Sequence, residues 1–136
     1  MPEAEAAVCD ASVLASITFG DRHSADALAL TRSRRLFAPA LLRYEMAQVA
    51  LRRCAAAPET AGLVLAAFRA SLRVPIRLVE PSWPAVLDVA RNNNLTAYDA
   101  SYLQLALALR LPLATLDERL GRAADSAGLR ARLRPM

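Results

Sequence analysis

Ala6-Ala7-Val8-Cys9-Asp10-Ala11-Ser12 is a short apolar run that ends in a carboxylate and leads into a helix start. Four apolar residues are too few for a helix and suit a strand buried on both faces. The pattern returns at Leu113-Ala114-Thr115-Leu116-Asp117, again with an aspartate just past the run. Leu36-Phe37-Ala38 and Ile76-Arg77-Leu78-Val79 are the other strand candidates, and Leu129 to Leu133 reads as a last edge strand. Helices are predicted between them. They cover residues 12–19, broken by Gly20-Asp21, then about 24–33, then 40–57, stopped by Pro58, then 59–72. A further helix runs from Pro81-Ser82 to about 92, with Asn93 or Asn94 as a left-handed cap. Thr96 caps 97–110, and Asp117 caps a helix to about 127, ended by Gly128. Short apolar strands alternating with helices predict an α/β fold with a parallel sheet covered on both faces. Sites in such sheets lie beyond the carboxyl ends of the strands, where Asp10 and Asp117 fall.

The 136 residues, with no internal repeat or long linker, suit one domain over 1–136. Apolar residues make up 55%, yet no run approaches the ~18 needed to span a membrane. The acidic start Met1-Pro2-Glu3-Ala4-Glu5 lacks the basic segment of a signal peptide, so the expectation is a cytoplasmic protein. Cys9 and Cys54 then read as small buried hydrophobes rather than a disulfide. The net charge of +4 comes from 17 arginines and no lysine. Guanidinium groups bind phosphates bidentately, and surplus positive charge attracts nucleic acid whatever its sequence.

Four acids stand where a carboxylate is expensive: Asp10, Glu45, Asp99 and Asp117. Burying one costs several kcal/mol, on the order of 3–5, unless something positive compensates it. Three have ordinary readings. Asp10 and Asp117 precede helices and can serve as N-caps, and Thr96-Ala97-Tyr98-Asp99 resembles a capping box. Glu45 is harder to dismiss, because it falls inside the apolar arc of Leu41, Leu42, Met46 and Val49. An ion pair with Arg52, two turns along, would also satisfy it. A single compensator for all four would be a hard divalent cation.

The motifs Val8-Cys9-Asp10-Ala11-Ser12, Glu45 in the helix after Ala38-Pro39, and Leu95-Thr96-Ala97-Tyr98-Asp99-Ala100-Ser101-Tyr102-Leu103 resemble the PIN-domain ribonucleases. Leu113-Ala114-Thr115-Leu116-Asp117-Glu118-Arg119-Leu120 completes the likeness, which covers nearly the whole chain and resembles in particular the VapC-type toxins of toxin–antitoxin pairs. The third block is the specific one. The resemblance implies a three-layer α/β/α fold with a five-stranded parallel sheet and a cluster of acids at one end. It makes Asp10, Glu45, Asp99 and Asp117 the acidic positions, with Ser12 and Thr115 as supporting hydroxyls. Asn92-Asn93-Asn94 stands where family members often have a glycine, and asparagine can fill the same left-handed cap.

Such a set is suited to phosphodiester hydrolysis. Mg2+ or Mn2+ can be bound through one or two carboxylates while keeping several waters. It can acidify a water and neutralise charge on the phosphoryl oxygens. Asp10 and Asp99 are expected as the principal ligands, with Asp117 and Glu45 binding a second ion or holding water. His23, the one histidine, lies away from the acidic blocks in sequence, which disfavours a paired acid–base mechanism. Phosphoacceptor receivers and haloacid-dehalogenase-like phosphatases are set aside. The first relies on a lysine, and the second wants an aspartate where Ser12 stands. The alternative is a PIN-like module that binds RNA or protein without cutting it.

The segment from Leu41 to Leu72 carries Val49, Leu51, Leu63, Val64, Leu65 and Phe68, more apolar area than one face of a small sheet covers. That excess suggests an association face. The resemblance implies that its occupants are a second copy, giving a homodimer, and a cognate antitoxin protein whose tail blocks the acidic pocket from the RNA substrate.

Overall fold

A computed structural model describes residues 5–132. Its strands are β1 (Glu5–Cys9), β2 (Arg34–Ala38), β3 (Ile76–Leu78) and β4 (Leu113–Ala114), all parallel and ordered β3-β2-β1-β4. The helices are α1 (Ala11–Phe19), α2 (Ser24–Thr31), α3 (Leu41–Ala56), α4 (Ala61–Ser71), α5 (Trp83–Asn93), α6 (Ala97–Leu109) and α7 (Glu118–Ser126). α1 packs with α2, α3 and α4, while α6 packs with α5, α7 and the central strand β1. Val8, Cys9 and Leu113 on the strands and Leu42, Met46 and Leu103 on the helices are fully buried in one core. None of the helices is long and apolar enough to cross a membrane, among the described residues.

Among the described residues the sheet has four strands, where five were expected. The stretch expected as a fifth, Leu129 to Leu133, makes a single parallel bridge between Arg130 and Leu113. Its last residue, Leu133, lies outside the described residues. The cause is the shortness of β4. Pro112 has no N–H to give, and Thr115 already turns towards the cap of α7. Leu113 donates to the Leu129 carbonyl at 2.6 Å and accepts from Ala131 N–H at 2.9 Å, and among the described residues the ladder goes no further.

Local chemistry sets the helix ends near the sheet's carboxyl edge. Asn94 closes α5 in the left-handed conformation, with φ 52° and ψ 45°. An asparagine tolerates that region better than most residues with a β-carbon. Two residues on, Thr96 Oγ1 accepts the Asp99 N–H at 3.1 Å and starts α6. From Ala100 to Ala106 every residue of α6 is buried, so this helix is a core element on all sides. Asp99, the residue just before this buried run, lies in the first turn and is only partly buried.

α3 and α4 form the expected helical hairpin, joined by a short 3-10 turn over Pro58–Thr60. Phe68 packs on the core, but Leu51 and Leu63 are 62% and 77% exposed. The hairpin thus presents apolar surface outward. Cys9 is buried and Cys54 partly so, and both are free thiols.

Candidate active site

β1 and β4 are neighbours, with Val8 opposite Leu113 and Cys9 opposite Ala114. That register sets Asp10 beside Thr115 just past the strand ends. Asp10 is 4% exposed and both its carboxylate oxygens are engaged. Oδ1 accepts from Ser12 Oγ at 2.6 Å and from the Val13 N–H at 3.2 Å, while Oδ2 accepts from Thr115 Oγ1. The Val13 contact is an N-cap of α1, so capping and site geometry are the same hydrogen-bond set. Thr115 Oγ1 in turn accepts the Asp117 N–H at 3.0 Å, and Ser12 Oγ accepts the Leu116 N–H at 2.9 Å. Asp117 caps α7 through the Leu120 N–H at 2.8 Å, and its side chain is exposed.

Glu45 reaches the same region from α3. Its Oε1 accepts the Tyr102 hydroxyl at 2.6 Å, a bond from the buried helix α6. Arg52, the partner considered from sequence, makes no ion pair with it among the described residues, although its charge acts on the carboxylate. Tyr102 is a residue of the candidate site that sequence reasoning missed. A tyrosine inside an otherwise apolar helix needs a partner for its hydroxyl, and that was the available signal.

The carboxyls feel one another. Burial pushes Asp10 up from the ordinary 3.8 to about 6, and the neighbouring Glu45 charge adds to this against its three hydrogen bonds. Glu45 is raised by burial and by Asp99, with Tyr102 and Arg52 pulling the other way. Asp99 is raised by burial and by Asp117, opposed by Arg119. Burial and the Glu45 bond hold Tyr102 as a neutral phenol, and burial keeps the Cys9 thiol protonated and inert. The fold therefore gathers Asp10, Glu45, Asp99 and Asp117 into one electrostatic neighbourhood, with Ser12 and Thr115 inside it. It does not draw them into a closed cage, since no three His, Cys, Asp or Glu side chains converge to hold a metal ion among the described residues.

The donor chemistry nevertheless fits a hard divalent cation. Every candidate ligand is a carboxylate oxygen, and the buried Asp10 has no arginine paired to it among the described residues. Mg2+ keeps most of its waters and asks for one or two carboxylates, not a cage. His23 comes nearer than its sequence position suggests. It lines a cleft of about 300 Å3 with Thr115, Leu116 and Glu118, and its Nε2 accepts from Arg22.

The sequence matches the family model for the PIN domain over residues 7–126. The chain belongs to the PIN domain family. No curated protein sequence matches it significantly. Among solved structures, this PIN domain is similar to PAE2754 from Pyrobaculum aerophilum, with 22% identity and a TM-score of 0.71 over 88% of this chain and 84% of that one. It is also similar to VapC20 of Mycobacterium tuberculosis, a sarcin–ricin loop cleaving toxin, with 16% identity and a TM-score of 0.67 over 96% of this chain and 100% of that one. At these identities the likeness establishes the shared fold.

Proposed function

We propose that this PIN domain is a metal-dependent endoribonuclease, the toxin of a toxin–antitoxin pair, which hydrolyses RNA phosphodiester bonds in the cytoplasm. The observation that carries the reading is Asp10, a buried carboxylate raised to about 6, held at the end of β1 within the field of Glu45. A site so built is at its most favourable with a cation present. Family membership and a toxin of the same fold support the nuclease and toxin parts.

Ser12, Thr115 and the Val13 N–H fix the orientation of the Asp10 carboxylate, and Tyr102 does the same for Glu45. Asp10 and Asp99 would hold Mg2+ or Mn2+ as principal ligands, with Asp117 and Glu45 holding a second ion or the water that attacks. When bound, the ion supplies positive charge at the phosphate and an acidified water. Arg52 and Arg119, beside Glu45 and Asp99, temper the negative field that an RNA strand must approach. The outward apolar face of the α3–α4 hairpin would take a second copy and the antitoxin.

The test is cleavage of cellular RNA by the purified chain with Mn2+ or Mg2+, in chelator, and with Asp99→Asn as control, the new 5′ ends being mapped. Cut RNA only in the metal-containing wild-type sample is expected. Equal cleavage by Asp99→Asn in chelator would sink the mechanism. No cleavage under any condition would leave a PIN-like module that binds RNA or protein without cutting.

A further inference from the structure

Arg34 opens β2 with its side chain only 8% exposed, and an arginine is seldom buried so far without a bonded partner for its charge. Its Nη1 donates to the Leu30 carbonyl at 2.9 Å, near the end of α2. Its Nε is closed to water and donates to no group among the described residues. Glu5, opposite Arg34 on β1, brings Oε2 to 3.8 Å from that nitrogen, too far for a hydrogen bond, and the Glu5 side chain is largely exposed. Burial lowers the Arg34 guanidinium from its ordinary pKa, so its surroundings disfavour the charge it carries. The Leu30 bond accounts for one nitrogen and leaves the rest of the fork without a structural purpose.

Arg34 also lines a cavity of about 500 Å3, together with Arg35, Arg77, Leu36, Phe37 and Ile76. The cavity lies along the β2–β3 edge of the sheet, at the end of β2 opposite the acids. Phe37 is the register partner of Arg77, and alternation along β2 puts Arg35 on their face. Arg34 enters from the other face, with Leu36 and Ile76. Arg35 and Arg77 are exposed and make no ion pair among the described residues. No acid lines the cavity. Three guanidinium groups are thus gathered beside an apolar wall, with the distant Glu5 contact as the one ion pair among them.

We infer that this cavity binds a small phosphorylated molecule that carries an apolar body, of the size of a nucleoside di- or triphosphate. Guanidinium forks match phosphate oxygens bidentately, and three of them suit the several charges of a di- or triphosphate better than one carboxylate. Leu36, Phe37 and Ile76 supply the surface for the apolar body. The volume falls within the roughly 300–1,000 Å3 of small-molecule pockets. An RNA strand fits less well, because its charges are spread along the backbone and would leave the apolar wall uncovered. The site stands apart from the acids, so it holds whether or not the chain cuts RNA.

The test is isothermal titration calorimetry of the full chain in chelator, where the metal-free acids repel polyphosphate. ATP and geranyl pyrophosphate are the two ligands, one with an aromatic body and one with an aliphatic body. Pyrophosphate and adenosine supply the parts alone, and a ten-uridine RNA is the competitor. One molecule of ATP or of geranyl pyrophosphate should bind per chain, about tenfold or more tighter than pyrophosphate or adenosine, and the tighter of the two identifies the body. Arg35→Ala/Arg77→Ala should weaken that binding about tenfold, the scale of removing one charged hydrogen bond. Arg34→Met keeps the apolar stem, removes the guanidinium and should weaken it as well. Arg122→Ala, exposed in a different cleft, should bind like the wild type. Arg35 and Arg77 are exposed, so their variant decides the matter whatever Arg34→Met does to the fold. A wild type that binds neither ligand more tightly than pyrophosphate overturns the site. So does unchanged affinity in Arg35→Ala/Arg77→Ala, an equal loss in Arg122→Ala, or RNA that binds through these arginines more tightly than either ligand.

Discussion

Tyr102 donates its phenolic hydrogen to Glu45 Oε1 across 2.6 Å, tying the buried helix α6 to α3 over 57 residues of sequence. The bond explains how a glutamate sits in an apolar arc without an ion pair. Tyr102→Phe keeps the ring and removes the donor, leaving a half-buried carboxylate short of a partner. A loss of about 1–3 kcal/mol is expected, read as a lower urea midpoint at constant slope. The bond also favours the charged form of Glu45, so its apparent pKa, followed by carboxyl 13C shifts, should rise in the variant.

Metal-free protein should lose stability as pH rises. The Asp10 carboxyl is raised in the fold from 3.8 to about 6, so within that window the folded state holds a proton that the unfolded chain has released. Stability from this group is fully present below about pH 4 and is lost as pH passes about 6, a span of about 3 kcal/mol. Glu45 and Asp99 are raised as well and act with the same sign. Urea midpoints in chelator should fall between pH 4.5 and 7.5. Asp10→Asn should flatten the slope, and Mg2+ or Mn2+ added to the wild type at pH 7.5 should raise the midpoint again.

Asp10→Asn and Asp99→Asn should each cut RNA cleavage on the order of a thousandfold, the scale of losing charge stabilisation worth several kcal/mol at the phosphate. Both should remain folded. Asparagine can still cap α1, and the Asp99 contribution to the start of α6 is its backbone N–H to Thr96. Gel assays with matched circular dichroism spectra would check this pair of expectations.

Thr115→Val removes a donor to Asp10 and the acceptor for the Asp117 N–H together. A loss of about 1–3 kcal/mol is expected, with the Asp10 carboxyl rising above its present value of about 6. Thr115→Ser keeps the hydroxyl and should recover most of both effects. NMR titration of the aspartate carboxyls distinguishes the two variants.

The parts of the fold legible in the sequence are those set by local chemistry. Pro39, Pro58, Asn94 and Thr96 punctuate helices where the structure ends or begins them, within a residue or two. Asp10 and Asp117 fall at strand ends by the same local logic. What was not legible depends on partners far apart in the chain. The fifth strand reads as β from composition, but whether a ladder forms depends on the length of its neighbour, and β4 offers two residues. Glu45 stands out in the sequence as needing a partner, while the choice of Tyr102 over Arg52 requires knowing which face of α6 meets α3. Arg119 gives no periodic signal and gains its meaning only from its closeness to Asp99.

Three of the four carboxylates stand at the amino ends of helices: Asp10 caps α1, Asp99 lies in the first turn of α6, and Asp117 caps α7. Each helix brings its macrodipole's positive pole, equivalent to roughly half an elementary charge. The backbone therefore provides built-in counter-charge before any ion arrives. This PIN domain should consequently fold empty, and the cation of the proposed function would load afterwards, unlike small zinc modules that collapse without their metal. If the proposed function holds, the empty but folded domain would be a storable state, able to exchange Mg2+ for Mn2+ without passing through an unfolded chain.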